Sequence, residues 1–533
     1  MESSNFQFYS FYLKSVKFFN HWKVPFISTF LIGILSHGYA FLNYLPTWDS
    51  ISNIRGVGVT FSSGRWFLEI AGKFFSEYNL SLINGFLSLV LISFSVILIL
   101  KIYDIHNSLF AILISGVVVS FPSVVSTFAF MFTADCYMLS LMLSLLSVYL
   151  CKTFPRLGFL PASLCVCFSI ALYQAFLSVT IISVITLFIL DLFFNIRTIK
   201  QLFKNYYKYV LSVLIGYILY EIISRIILNI NGQSLSDYQG INSVGFLSIP
   251  EIVTAAKINI LKIISLFGFE ISGIEGRAQA IGIYTFLNIV FFLLFVSIVF
   301  YCFIREKKYK KPLITIIIIG SFSLIPISIC IFRYFSTSVA YDSLMMFSAV
   351  FLYIIFIIFI AKSHHSSKAI DLLKSFSVIV ICCLIGYNTI NANVNYFYMN
   401  MRYERTVNIA SNVLDDICET PEYLTKTDKV AVWGANAKLL QDGYEYNPTL
   451  PLIRGSEDTH NVLISQRHYK LFWLNFLGVN INTATVDEIY EISETTEFKN
   501  MPCYPQKGYV KCINDIIVVK LGAVEQSYGY YGY

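Results

Sequence analysis

The sequence predicts a mainly α polytopic membrane protein of about eleven transmembrane helices, with a C-terminal α/β domain outside the bilayer. Three observations lead there. Of 533 residues, 56% are hydrophobic and 13% charged, against about 45–50% and about 25% in soluble domains. Apolar runs of spanning length recur as far as residue 390 and then stop. Lys and Arg gather on alternate connecting segments, the bias that orients membrane proteins. A soluble fold is excluded, because so much apolar surface has too little charged surface to cover it. Eleven cysteines, mostly within apolar runs, are too sparse for a secreted disulfide scaffold. The net charge of +6 follows from basic loops and calls for no nucleic acid.

A spanning helix needs about 20 apolar residues. That ruler gives segments at 24–45, 80–100, 109–130, 136–151, 158–172, 173–194, 209–230, 281–304, 312–332, 343–361 and 370–390. The first run follows more than twenty mixed residues and has no cleavage site behind it, so it reads as a span and not a signal peptide. With the N-terminus in the cytoplasm, inner segments hold seventeen basic residues, including Lys101, Lys152, Lys307, Lys308, Lys310 and Lys311. The outer loops before the C-terminal region hold seven: Arg55, Arg65, Lys73, Lys257, Lys262, Arg277 and Arg333. Three regions then lie outside: loop 46–79, loop 231–280, and everything after about 391. A protein with short inner connectors and elaborate outer ones works on its outer face.

Within the second outer loop, Ser248-Ile249-Pro250-Glu251 is a capping box with Pro in the first turn. It opens an apolar segment, 252–267, expected to lie along the membrane interface with Lys257 and Lys262 snorkelling. In the C-terminal region, 429–434 and 516–521 read as strands and 486–494 as a helix. Cys503 and Cys512 flank a Pro- and Gly-containing segment and could close a disulfide or remain thiols. The tail 527–533, rich in Tyr and Gly, reads as disordered.

No Walker loop, dinucleotide fingerprint or HExxH occurs. His460 and His468 lack a matching cysteine pattern for a metal site. The informative polar residues cluster instead at the outer boundary. Asp49 follows the first span, then come Ser63-Gly64-Arg65-Trp66 and Glu69. Asp135 is expected in a tight outer turn after the third span, and Tyr173-Gln174 in the turn after the fifth. Arg333 ends the ninth span, and Tyr341-Asp342 opens the tenth. This set suits a sugar-phosphate ligand. Arg binds phosphate bidentately, aromatic faces (Trp66, Tyr173) with Gln174 suit a sugar, and a carboxylate can act as general base. Each residue has a structural reading too: Arg65-Trp66 as an interfacial anchor, Arg333 as a snorkelling side chain, Asp135 as a helix cap. Glu221 and Arg225, spaced i,i+4 in the seventh span, are expected to form a desolvated pair, more structural than functional.

The run Trp48-Asp49, then Ser63-Gly64-Arg65-Trp66-Phe67, resembles the glucosyl transferase II family of bacterial and phage membrane proteins. Tyr173-Gln174-Ala175-Phe176, Met501-Pro502-Cys503-Tyr504-Pro505 and Ile517-Val518-Val519-Lys520 resemble it as well, so the likeness extends over nearly the whole chain. The resemblance implies a GT-C-like fold in the bacterial inner membrane. It also implies an inverting, serotype-converting enzyme that takes glucose from undecaprenyl-phosphate glucose and adds it to O-antigen on the periplasmic face. A flippase and a donor synthase are the implied partners. No cofactor is implied beyond the lipid-linked donor, with a divalent metal left open. Asp49 occupies the position of the acidic residue that GT-C enzymes carry in their first outer loop, with Glu69 and Asp135 in reserve as catalytic carboxylates. Arg65 and Arg333 are assigned to the donor phosphate.

Three rival classes remain. A lipid-linked sugar flippase would place ionisable residues near the midplane and show repeated halves; the spans are nearly free of charge and no repeat is visible. A non-catalytic glycan-binding assembly protein predicts that acidic rim variants keep function. A membrane acyltransferase is disfavoured by the lack of a His-centred site in the spans.

Overall fold

The computed structural model describes residues 2–58, 60–75, 78–195, 198–236, 245, 247–269, 282–336, 339, 341–363, 368–434, 453, 455 and 468–522. The helices, in chain order, are α1 (Glu2–Leu42), α2 (Trp48–Ser52), α3 (Trp66–Phe75), α4 (Ser81–Tyr103), α5 (Ser108–Val119) and α6 (Pro122–Ala129). There follow α7 (Met131–Thr153), α8 (Phe159–Leu172), α9 (Leu177–Phe194), α10 (Ile199–Ile230), α11 (Ile249–Leu266) and α12 (Ile283–Arg305). The last six are α13 (Pro312–Ile329), α14 (Phe351–Lys362), α15 (Lys368–Glu419), α16 (Tyr469–Phe472), α17 (Val486–Glu494) and α18 (Thr496–Lys499). Four strands complete the set: β1 (Lys429–Trp433), β2 (Asn482–Thr483), β3 (Val510–Ile513) and β4 (Ile516–Lys520). Two compact units result. One comprises 1–42, 55–393 and 448–454; the other comprises 43–54, 394–447 and 455–533.

The first unit is the helical bundle. Among its described residues, eight helices are long and apolar enough to cross a membrane, or nine if α5 and α6 count as one broken span. Two shorter apolar helices, 159–172 and 347–362, fall where the sequence predicted the fifth and tenth spans. Large apolar side chains point outward, among them Leu35, Leu214, Ile218, Phe286, Leu293 and Ile316. That surface suits hydrocarbon and not water. The chain is a membrane protein.

The third expected span is bent by 45° between α5 and α6. Pro122 accounts for the break: it forces Phe121 out of the helical region, to φ −63 and ψ 141. A second break at Phe130 lets α7 begin at Met131. Asp135 therefore lies inside α7 and not in a connecting turn.

Helix contacts rely on small residues. A Cβ at Gly216 would come within 2.7 Å of the Ser163 carbonyl oxygen and the Val166 Cβ, so α10 and α8 meet almost backbone to backbone. Serines join α7 to its neighbours. Ser140 Oγ donates to the Ser169 carbonyl at 2.8 Å, and Ser144 Oγ donates to the Phe176 carbonyl at 3.0 Å. The second of these ties the 173–176 turn to α7.

The expected capping box at Ser248 is present, with Ser248 N donating to Glu251 Oε2 at 2.8 Å. α11 buries Ala255, Asn259, Ile263 and Leu266 and exposes Ile252, Val253 and Ile260.

The second unit is a four-stranded sheet in the order β2-β1-β4-β3, covered on both faces. β1 pairs in parallel with β2 and β4, and β3 with β4 is an antiparallel hairpin. Val430, Val432, Ile517 and Val519 face one core with Ile409, Val413 and Trp473. Ala431, Trp433, Ile516 and Val518 face another with Ile489, Ile492 and Phe498. This alternation along each strand is the period of two that buries both faces. Ile51 of α2 is fully buried in the first of these cores, and Asn475 Nδ2 donates to the Ile51 carbonyl at 3.4 Å. The stretch after the first span thus belongs to the C-terminal unit. Cys503 and Cys512 are free thiols. The 527–533 tail and His460 lie outside the described residues.

Candidate active site

In the helical unit, the candidate site is built on a turn. Phe61–Ser63 form one turn of 3-10 helix, closed by Gly64 at φ +72. That left-handed conformation costs a residue with a Cβ about 1–2 kcal/mol. Space excludes a side chain as well: a Cβ at Gly64 would come 2.5 Å from Tyr220 Oη and 3.1 Å from Gln174 Nε2. Those two groups clamp the turn. Tyr220 Oη donates to the Gly64 carbonyl at 3.0 Å, and Gln174 Nε2 donates to the Ser63 carbonyl at 2.9 Å. Thr60 closes the loop, its Oγ1 donating to the Arg65 carbonyl at 2.9 Å.

Arg65 leaves this turn half-buried. Its Nη1 donates to Tyr137 Oη at 3.0 Å, and its guanidinium carbon lies 5.4 Å from the centre of the Tyr173 ring. Tyr137 and Tyr173 stack in parallel, with centroids 4.1 Å apart and planes within 8°. From Tyr173 a chain of ring contacts continues through Phe176 to Phe347. Nearby, Ser343 Oγ lies 2.6 Å from Ser126 Oγ of α6. Asp342 opens the 3-10 turn there, its Oδ1 accepting from Leu344 N at 3.0 Å.

Arg333 sits on the 3-10 turn Ile331–Tyr334 and is only 7% exposed. It makes no hydrogen bond or ion pair with any described residue, and its Nε is buried without a partner. Its one neighbour of note is the Tyr341 ring, 5.8 Å from the guanidinium carbon. Tyr341 Oη is itself occupied, accepting from Phe332 N at 2.9 Å. Burial pushes the Arg333 pKa down from its usual value, yet guanidinium stays protonated in proteins. Among the described residues no carboxylate pairs with this cation, and a buried cation favours an anion at its side.

The three residues expected to meet a sugar are engaged otherwise. Trp66 is 5% exposed and packs among Val166, Ile170, Leu177 and Tyr220. Tyr173, also 5% exposed, has Tyr137 stacked on its ring. The Gln174 amide is spent on Ser63. All three support the Arg65 turn, and neither ring offers an open face to a sugar.

The carboxylates differ in setting. Asp135 is fully buried in α7, with Oδ1 accepting from Cys136 N at 2.9 Å. Glu69 of α3 pairs with Lys73 at 3.0 Å. Asp49 is exposed in the first turn of α2, within the C-terminal unit. Glu221 and Arg225 are 3.7 Å apart, and the Arg225 side chain is 79% exposed. They form the i,i+4 pair expected of them, on the outer face of α10. Among the described residues, no three His, Cys, Asp or Glu side chains gather closely enough to hold a metal ion.

Sequence reading missed Tyr137 and Tyr220. Both sit in apolar runs, where a hydroxyl needs a partner, and that need was the available signal.

A bundle of apolar helices of spanning length, with Arg65 and Arg333 each at a 3-10 turn, defines a membrane protein. The family model described as glucosyl transferase GtrII matches residues 38–353, more than half of the chain, and the chain belongs to that family. Membership implies a glucosyltransferase role for a membrane protein that acts on a sugar. Met501–Pro505 and Ile517–Lys520 fall outside the matched stretch. Neither the curated proteins nor the solved structures yield a match.

Proposed function

We propose that this chain transfers a sugar, glucose by its family, from a polyprenyl-phosphate donor to O-antigen or another surface polysaccharide. The reaction is placed on the periplasmic side of the bacterial inner membrane, with the N-terminus cytoplasmic and the C-terminal domain periplasmic. The observation that carries the reading is Arg333, a buried cation on a turn at the end of an apolar helix, with no ion pair to any described residue. A lipid phosphate supplies the missing charge at that depth, and Arg65 supplies a second cationic fork.

The step proposed is a single inverting displacement. The acceptor hydroxyl oxygen bonds to the anomeric carbon as the bond from that carbon to the phosphate oxygen breaks. Polyprenyl phosphate leaves with the electron pair, and its charge is stabilised by the arginines in a setting drier than bulk water. A carboxylate takes the hydroxyl proton. Asp49 is the first choice, since it is exposed and follows the first span directly. Glu69, engaged by Lys73, and the enclosed Asp135 come after it. A flippase to deliver the donor and a synthase to make it are the proposed partners.

Compositional analysis of the surface polysaccharide, in cells that make the lipid-linked donor, tests this reading. Glucose on the repeat unit should depend on this chain. Identical polysaccharides with and without it would rule the proposal out.

A further inference from the structure

We propose that Tyr137 is a positioning residue that sets the Arg65 guanidinium for the donor phosphate; this rests on the phosphate reading of Arg65 given above. The buried tyrosine hydroxyls of the bundle bond in several ways: Tyr353 donates to Asn288 Oδ1, Tyr206 donates to Asp191 and Tyr341 accepts from a backbone N–H. Tyr103, Tyr220 and Tyr284 each donate to a backbone carbonyl, of Ser183, Gly64 and Leu266 respectively. Such a bond satisfies a hydroxyl that folding has buried. Tyr137, 3% exposed, instead accepts a hydrogen bond from the Nη1 of a side-chain cation.

The hydroxyl cannot easily follow that cation elsewhere. Its ring lies flat against Tyr173 at 4.1 Å, and Tyr173 is itself braced by Phe176 at 5.8 Å. α7 fixes the Tyr137 backbone, and the Ser144 bond to the Phe176 carbonyl fixes the turn below Tyr173. On the other side, Gly64 and its two clamps fix the backbone from which Arg65 departs. Both ends of the Arg65–Tyr137 bond are therefore anchored in structure that does not depend on the bond.

A guanidinium offers five donors in one plane, and a two-point grip on phosphate needs two of them on one edge. Fixing Nη1 on Tyr137, with the Tyr173 ring 5.4 Å from the guanidinium carbon, removes rotations that would turn that edge away. Positioning of this kind raises affinity by cutting the ordering cost of binding. It acts on the phosphate alone and leaves the lipid chain's contacts untouched.

The test compares two lipids on the purified full chain: a polyprenyl phosphoglucose, and the uncharged polyprenyl glucoside of the same chain length. The ratio of their affinities reports phosphate recognition. Tyr137→Phe keeps the stacked ring and removes only the hydroxyl. It should lower the ratio about 5- to 20-fold, leaving glucoside affinity and thermal unfolding as in the parent. In an Arg65→Ala background the same change should have no further effect, because the coupled partner is gone.

An unchanged ratio in Tyr137→Phe, equal weakening of both lipids, or the same factor in both backgrounds overturns the inference and leaves the Arg65 reading standing. If Arg65→Ala alone leaves the ratio intact, the phosphate reading of Arg65 fails, and the positioning role falls with it.

Discussion

Arg65 and Arg333 were assigned one task from sequence, but their surroundings are opposite. Arg65 is half-exposed and guided: a hydroxyl takes one of its donors, a tyrosine ring lies 5.4 Å from its guanidinium carbon, and its backbone turn is clamped on two sides. Arg333 is 7% exposed and carries its charge beside one tyrosine ring with no hydrogen bond to a described residue. The difference separates orientation from charge. Arg65 is built so that its direction is set before a ligand arrives. Arg333 has no ion pair with any described residue, so on the proposed reading a bound anion offsets the cost of burying its charge.

The largest expected effect comes from Arg333→Met, which keeps the volume and removes the charge. Affinity for polyprenyl phosphoglucose should fall at least about 100-fold, as for a buried charge pair that loses one partner. If Arg333 meets its anion only in the ligand, as proposed, the empty protein should become more stable, by about 1–3 kcal/mol, because a buried charge is gone. Binding and thermal unfolding measured on one preparation check both signs; a loss of stability alongside lost binding would break the comparison. Arg65→Lys keeps a charge and loses the planar fork, so donor affinity should drop about tenfold with stability unchanged. Gly64→Ala tests the turn and not the cation. Denaturation should show a loss of about 1–2 kcal/mol from the left-handed backbone alone, with donor binding weakened because Arg65 is displaced. Glu221→Gln closes the series: its i,i+4 pairing with Arg225 should contribute no more than about 0.5 kcal/mol, and neither unfolding nor donor binding should move beyond that.

The parts of this fold that were legible in the sequence are those set by local pattern. Each of the eleven apolar runs falls on helix, and the Ser248–Glu251 capping box marks the start of α11 as expected. β1, β4 and α17 fall on the two stretches read as strands and the one read as a helix. What was not legible depends on distant partners or short signals. β2 has two residues, too few to show a period. The β3–β4 hairpin was announced only by Asn514-Asp515, both at positive φ, a turn signal easily passed over. Nothing near Ile51 shows that it enters a core with Val413 and Trp473 some 360 residues or more away in the chain. At the site, residue types drew attention to Ser63-Gly64-Arg65, which the structure shows as a clamped turn. They misjudged Trp66, Tyr173 and Gln174, because a sugar platform and a structural brace use the same side chains, and only burial tells them apart.

The claim at the centre is that glucose moves from a lipid phosphate to an acceptor hydroxyl through a base, and one measurement meets it directly. The purified chain is given polyprenyl phosphoglucose labelled in its sugar, with O-antigen-bearing lipopolysaccharide as acceptor. Transfer is followed beside that of Asp49→Asn at equal protein. The account predicts label in the polysaccharide, with the variant at least about 100-fold slower, as loss of a general base requires, and donor affinity unchanged. Donor that crosses a liposome bilayer while its label never reaches the acceptor would contradict the account and make the chain a translocator.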